Sequence, residues 1–251
     1  MIQLKTVLLL TAPLGAFAAA LPAQVVAAPA AKNVVLVHGA FVDGSGWKAV
    51  ADILTKDGYT VSIVQPPETS LDDDIAATNR VLNLQDGPVV LVGHSYGGAI
   101  ITGAGSNAHV KSLVYVAAFQ PDSGESIASL GGSKPPAGAP LKPSPDGFLY
   151  IDPASFHADF AADLPAAEAE FMVRSQVGLS VKAATATATS PAWKTKPSFA
   201  VVATLDRSIN PDLERWMYQR SHSEVIELPS SHAVYMSHPA QVAALIEKAA
   251  R

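Results

Sequence analysis

The chain has 251 residues, 49% of them hydrophobic and 16% charged, enough for one large α/β domain with a sizeable core. Its net charge is −5 with no basic block, which argues against nucleic acid as a partner, because phosphate binding needs clustered Lys and Arg. With no cysteine, disulfides, thiolate metal sites and cysteine nucleophiles are excluded.

Residues 1–30 differ from the rest. Lys5 supplies a small positive region, Val7-Leu8-Leu9-Leu10 opens an apolar stretch, and Ala28-Pro29-Ala30 offers a small-residue cleavage site, with Val26-Ala27-Ala28 as another. This reads as a secretory signal peptide, so the protein is expected to be exported, periplasmic or secreted. Pro13, Gly15 and Pro22 interrupt the segment, and no later segment approaches the ~20 unbroken apolar residues of a membrane span. No stable membrane association is expected once the leader is cleaved.

Residues 31–251 are expected to form one domain. Asn33 to Val37 is an apolar run of the kind found in strands buried on both faces. A loop follows through His38-Gly39-Ala40-Phe41. Trp47, Val50, Ile53 and Leu54 are spaced for one buried helix face, and Tyr59 to Val64 is a second strand. Ser70 reads as an N-cap, and the acids Asp72, Asp73 and Asp74 complement the helix N-terminus rather than bind a metal. Val89 to Val92 returns to the sheet, a helix runs from Tyr96 to Asn107, and Val110 to Val116 is the next strand. Such strict alternation implies a mainly parallel sheet of about six strands with helices on both faces.

From about 120 to 195 the rhythm breaks into Pro- and Gly-rich sequence, expected to form an inserted lid. Some of its residues Phe148, Tyr150, Phe156, Phe160, Phe171, Met172 and Trp193 are expected to line an apolar pocket, the larger part being packing within the lid. The alternation then resumes with a strand at 198–203, a helix at 211–220, a strand at 224–228 and a final helix carrying Val242, Leu245, Ile246 and Ala249 on one face.

The chemistry concentrates in Gly93-His94-Ser95-Tyr96-Gly97-Gly98, between a strand and a helix. A G-x-S-x-G turn there strains the serine backbone and lifts its hydroxyl clear of the sheet, and the following helix aims free N–H groups at the same spot. A serine hydroxyl needs a base, and the base needs an orienting acid. In such sheets these partners follow later strands in the order acid, then histidine. His232, just past the last strand, is the expected base. Asp206, at the end of the preceding strand, is the expected acid; Asp212, Asp122 and Glu125 are rivals. The oxyanion amides are expected from Tyr96 and from Ala40, with Phe41 as the alternative and as a substrate-binding residue. His38 is read as structural. Because the base must be neutral, activity should fall as pH drops through about 6 to 7.

These motifs, from Asn33 onward, resemble the α/β-hydrolase fold. Within it the chain is similar to the small esterases related to plant methyl-ester esterases and hydroxynitrile lyases, and shares Ala118-Phe119-Gln120-Pro121-Asp122-Ser123-Gly124-Glu125-Ser126 with bacterial relatives. The lyases have threonine after the oxyanion-loop histidine and lysine close after the catalytic histidine; here those places hold Gly39 and Ala233-Val234-Tyr235. The resemblance therefore implies hydrolysis of small, uncharged, fairly hydrophobic esters, with no metal or organic cofactor. A lyase, a cofactor-free perhydrolase or a non-catalytic binding protein on the same scaffold are the rival readings.

Overall fold

The computed structural model describes residues 1–2 and 30–251; the proposed leader falls largely outside the described residues. The chain opens on β1 (Asn33–Val37), then α1 (Lys48–Lys56), β2 (Thr60–Val64), α2 (Leu71–Leu82), β3 (Val89–Ser95), α3 (Gly97–Ala104) and β4 (Val110–Ala118). The lid contributes α4 (Ile127–Ser133), β5 (Lys142–Pro143), β6 (Phe148–Tyr150), α5 (Phe156–Phe160), α6 (Ala166–Arg174), β7 (Leu179–Ser180) and α7 (Val181–Thr185). The chain closes with β8 (Ser198–Ala203), α8 (Pro211–Arg220), β9 (Glu224–Leu228), α9 (Val234–Ser237) and α10 (Pro239–Ala249).

The main sheet has six strands in the order β2-β1-β3-β4-β8-β9, and every neighbouring pair is parallel. The period-two pattern of the strands decides what each face buries. Val35, Val37 and Leu91 point to the side covered by α2, α3 and α8, where Leu82, Ile100 and Met217 pack. Val34, Leu36, Val90 and Val92 point to the side covered by α1 and α10, against Leu54 and Ile246. Both β1 and β3 are buried along their whole length, which explains why they read as unbroken apolar runs rather than alternating ones.

From β1 the chain turns outward to β2, then returns past β1 to β3 and continues the other way. The strand order thus reverses between β1 and β3, and an open parallel sheet has its crevice at the carboxyl ends of two such strands. The His38 loop leaves β1 there, and the Ser95 turn leaves β3.

Two departures from the sequence reading concern local structure. The helix after Ser95 stops at Gly105 instead of reaching Asn107; the chain there passes so close to Leu113 of β4 and Ala192 of the lid that a Cβ would meet each at 2.8 Å. The lid holds a three-stranded antiparallel sheet, β5-β6-β7, whose middle strand is the run Phe148-Leu149-Tyr150. Its outer members are two residues each, too short to show a period. Among the described residues no helix is long and apolar enough to cross a membrane.

Candidate active site

Ser95 ends β3 with φ +53°, a left-handed value that costs a non-glycine residue about 1–3 kcal/mol. The turn is tight enough that a Cβ at Gly93 would lie 2.5 Å from Gly97 O. Ser95 Oγ donates to His232 Nε2 at 2.8 Å. On the other side of the imidazole, His232 Nδ1–H donates to Asp206 Oδ2 at 2.5 Å. An ionised carboxylate only accepts, so it holds the proton on Nδ1 and leaves Nε2 free to accept from the serine. All three residues are buried, Ser95 being 8% exposed.

Asp206 is itself fixed. Its Oδ1 accepts the N–H groups of Ser208 at 2.6 Å and Ile209 at 2.9 Å. The rival acids lie elsewhere: Asp212 pairs with Arg215, Asp122 with Lys194 and Glu125 with Arg220. The structure therefore brings together Ser95, His232 and Asp206 out of the candidates.

The loop after β1 bears on the choice between Ala40 and Phe41. Phe41 has φ +70° and its N–H donates to Val177 O at 3.0 Å. That amide is occupied, which leaves Ala40 N–H as the candidate of the two. Gly39 lies so close to the elbow that a Cβ there would meet Ser95 Cβ at 2.6 Å and His94 O at 2.9 Å. The threonine of the lyase pattern does not fit this backbone. His38 is buried, its Nδ1–H donates to Gly39 O at 2.9 Å, and burial lowers its pKa. It braces the loop, as expected of a structural residue.

Sequence reasoning missed four side chains around this centre. Asp74 is one of three acids, with Asp72 and Asp73, that the sequence places at the helix N-terminus. The two neighbours are exposed, but Asp74 is buried. Its Oδ2 accepts from Tyr96 Oη at 2.5 Å and its Oδ1 from Glu68 N–H at 2.7 Å, tying the residue after the serine to α2. His94 Nε2–H donates to His232 O at 3.1 Å, and its ring packs on the His232 ring with centroids 4.7 Å apart. Asp163 of the lid accepts from Ser230 Oγ at 2.6 Å and from Ser231 N–H at 3.1 Å, which anchors the His232 loop. These contacts join residues tens of positions apart and have no local pattern to reveal them.

The fourth is Glu68, fully buried beside the same loop, where neither carboxyl oxygen has a hydrogen-bond partner among the described residues and His38 Nδ1 lies 3.5 Å from Oε1. Burial pushes its pKa up to about 10, and the charge of Asp74 adds to the shift. A carboxyl that holds its proton more tightly when folded contributes full stability below the usual glutamate value and loses it as pH rises toward about 10. Glu68→Gln, neutral at every pH, should match the parent near pH 5. Its advantage should grow by about 1 kcal/mol per pH unit above that, a few degrees of melting temperature. Thermal unfolding of both proteins from pH 5 to 9 checks this, and a pH-independent difference would refute the buried proton.

A cavity of about 420 Å³ opens over Ser95 and His232. Its walls are mainly apolar, with Phe41, Phe119, Ile127, Leu149, Phe160 and Leu179 among them. Of the lid aromatics singled out from sequence, Phe160 lines it. Phe156 and Met172 pack within the lid, Trp193 joins the main core, and Phe171 is exposed. The rest of the lid's share of the wall is mainly aliphatic and proline, such as Ile127, Pro135, Pro140 and Leu149. At the rim Arg207 and Asp159 pair at 2.8 Å and offset each other's charge. Among the described residues no cluster of His, Asp or Glu is arranged to hold a metal ion.

The sequence pattern of the alpha/beta hydrolase family matches residues 34–245. The chain belongs to that family. Within it, the chain is 34% identical over 116 residues to a carbendazim hydrolyzing esterase of Nocardioides sp. (strain SG-4G), a match covering 39% of this chain and 46% of that protein. The match thus spans under half the length of that relative. Among solved structures, polyneuridine aldehyde esterase superposes on 87% of this chain and 98% of its own, with TM-score 0.74 and 18% identity. A pyrethroid hydrolase from Sphingobium faniae JZ-2 covers 88% and 97%, with TM-score 0.71 and 22% identity. At these identities the likeness establishes the shared α/β-hydrolase fold, the expected class.

Proposed function

We propose that this family member is a serine esterase that cleaves small, uncharged, fairly hydrophobic carboxylic esters through an acyl-enzyme. The observation that carries the reading is the unbroken hydrogen-bonded line Ser95–His232–Asp206 on the floor of an apolar cavity. Ser95 Oγ attacks the ester carbonyl while His232 Nε2 takes its proton. Asp206 holds the imidazole in the required tautomer and stabilises the imidazolium. The Ala40 and Tyr96 amides meet the oxyanion, each worth roughly 3 kcal/mol of barrier. The alcohol leaves with the proton from His232, and water then releases the acid by the same route. Every step uses side chains and backbone of this chain.

The substrate class follows from the cavity. A volume of about 420 Å³ suits a small ligand, and its apolar wall disfavours a charged acyl group. Esterase and hydrolase names among the relatives agree with the reaction class. The clash that a side chain at position 39 would make with Ser95 favours hydrolysis over the lyase reading. The leader at residues 1–30 supports export to the periplasm or the medium, where the partner is the ester itself.

The test is a panel of p-nitrophenyl and aryl esters of graded acyl length, together with fluorophosphonate labelling of the purified protein. Hydrolysis of neutral short esters, poor turnover of charged ones and a single label on Ser95 are expected. A protein inert to every ester and unlabelled overturns the reading. Cyanohydrin cleavage faster than ester cleavage would assign it to the lyases.

A further inference from the structure

Behind Asp206 lies a second carboxyl. Glu214 projects from the first turn of α8 and is fully buried. Its Oε2 accepts the N–H of Ala203 at 3.2 Å. Its Oε1 meets no donor among the described residues, and Asp206 adjoins it through the same backbone, Asp206 N–H donating to Ala203 O at 3.1 Å, so that the two carboxyls are neighbours. Two carboxylates do not stay ionised together in such a place; one of them keeps a proton. Asp206 receives three N–H donors, from Ser208, Ile209 and His232, and all three favour its charged form. Glu214 receives one. The proton therefore belongs to Glu214, and burial and the Asp206 charge both push its pKa upward.

We propose that Glu214 is a positioning residue: a neutral carboxylic acid that donates a hydrogen bond to Asp206 and so sets the orientation and charge of the acid behind His232. The proposal rests on the triad reading given above. The surroundings fit it. Tyr218 of the same helix is held by the N–H and carbonyl of Ala118 in β4, each at 2.8 Å. Tyr115 of β4 lies beside the Tyr218 ring, at 6.3 Å between centroids, and its hydroxyl is hydrogen-bonded to Thr102 Oγ1 at 3.0 Å. Arg215, the cation that favours the charged form of Glu214, is turned outward to Glu227 of β9 and to Asp212. A charged donor does not compete for Asp206, and the chain Glu214–Asp206–His232–Ser95 runs from the core to the cavity floor.

Two variants separate this role from simple packing. Glu214→Gln keeps a donor for Asp206 and an acceptor for Ala203 N–H, without a titrating proton. Glu214→Leu keeps similar bulk and removes both. With a neutral p-nitrophenyl ester, Gln should leave kcat and the acid-limb midpoint of the pH profile close to wild type. Leu should lower kcat about tenfold, the rate equivalent of one lost hydrogen bond to a charged group, with KM little changed. It should also move the acid limb upward, because an Asp206 without this donor holds the imidazolium more strongly. Leu behaving as wild type in both respects, or Gln failing as badly as Leu, overturns the proposal. Infrared difference spectra of wild type minus Glu214→Gln at neutral pH give a readout that needs no activity and no Leu variant. A carboxylic-acid C=O band present only in wild type is expected, and its absence refutes the neutral Glu214. A protein that shows this band but hydrolyses no ester and takes no fluorophosphonate would fail the triad reading while leaving the buried acid in place.

Discussion

Ser95→Ala should lower kcat by about a million-fold and abolish fluorophosphonate labelling, with KM for a neutral ester changed little. The substitution removes one oxygen whose only side-chain partner among the described residues is His232 Nε2 at 2.8 Å. Nothing in the cavity wall moves, so substrate binding persists. A residual rate of about 10³ over the uncatalysed reaction should remain, since the Ala40 and Tyr96 amides still polarise the carbonyl. A backbone control belongs beside it. Ser95→Gly is equally unable to attack, but glycine tolerates φ +53° where alanine does not. The glycine variant should therefore unfold at a higher temperature than the alanine variant, by the equivalent of about 1 kcal/mol. Full ester hydrolysis by Ser95→Ala would end the nucleophile assignment, and an order of stability favouring alanine would contradict the strained elbow.

Asp206→Asn should lower kcat by about 10⁴ while leaving the fold intact. The amide is nearly the same shape, and its oxygen can still accept from Ser208 and Ile209 N–H, the contacts that hold the loop. The failure is one of tautomer. The Asn nitrogen donates to His232 Nδ1, which drives the ring proton onto Nε2, and a protonated Nε2 cannot accept from Ser95 Oγ. Measured kcat, a melting curve and the loss of the far-downfield imidazole N–H resonance together test this. Retained activity with an unchanged resonance would mean that Asp206 does not orient the base.

The residues behind both predictions are legible in outline in the sequence. The apolar run 89–92, the Gly-x-Ser-x-Gly turn and the apolar stretch after it force a strand–elbow–helix unit, because each part follows from local rules of period and glycine use. His232 and Asp206 could be picked out by standing just past strands, since parallel topology gathers strand ends at one edge. The lid was visible only as a break in rhythm. Its lining misled, because aromatic content says nothing about which side of a small antiparallel sheet a ring will face. Asp74 shows the limit clearly: within a run of three acids, local chemistry treats all three alike, yet helix geometry turns one inward onto Tyr96.

The sequence by itself determined the architecture and singled out the elbow serine with its candidate base and acid, because periodicity, glycine placement and chain order are properties of a string. The tertiary structure decided which loop amide is free, which walls the cavity has and that Glu214 and Glu68 are buried beside the centre. Those depend on contacts between residues distant in the chain. A carboxyl's charge state is set by what surrounds it after packing, and no neighbour in sequence carries that information.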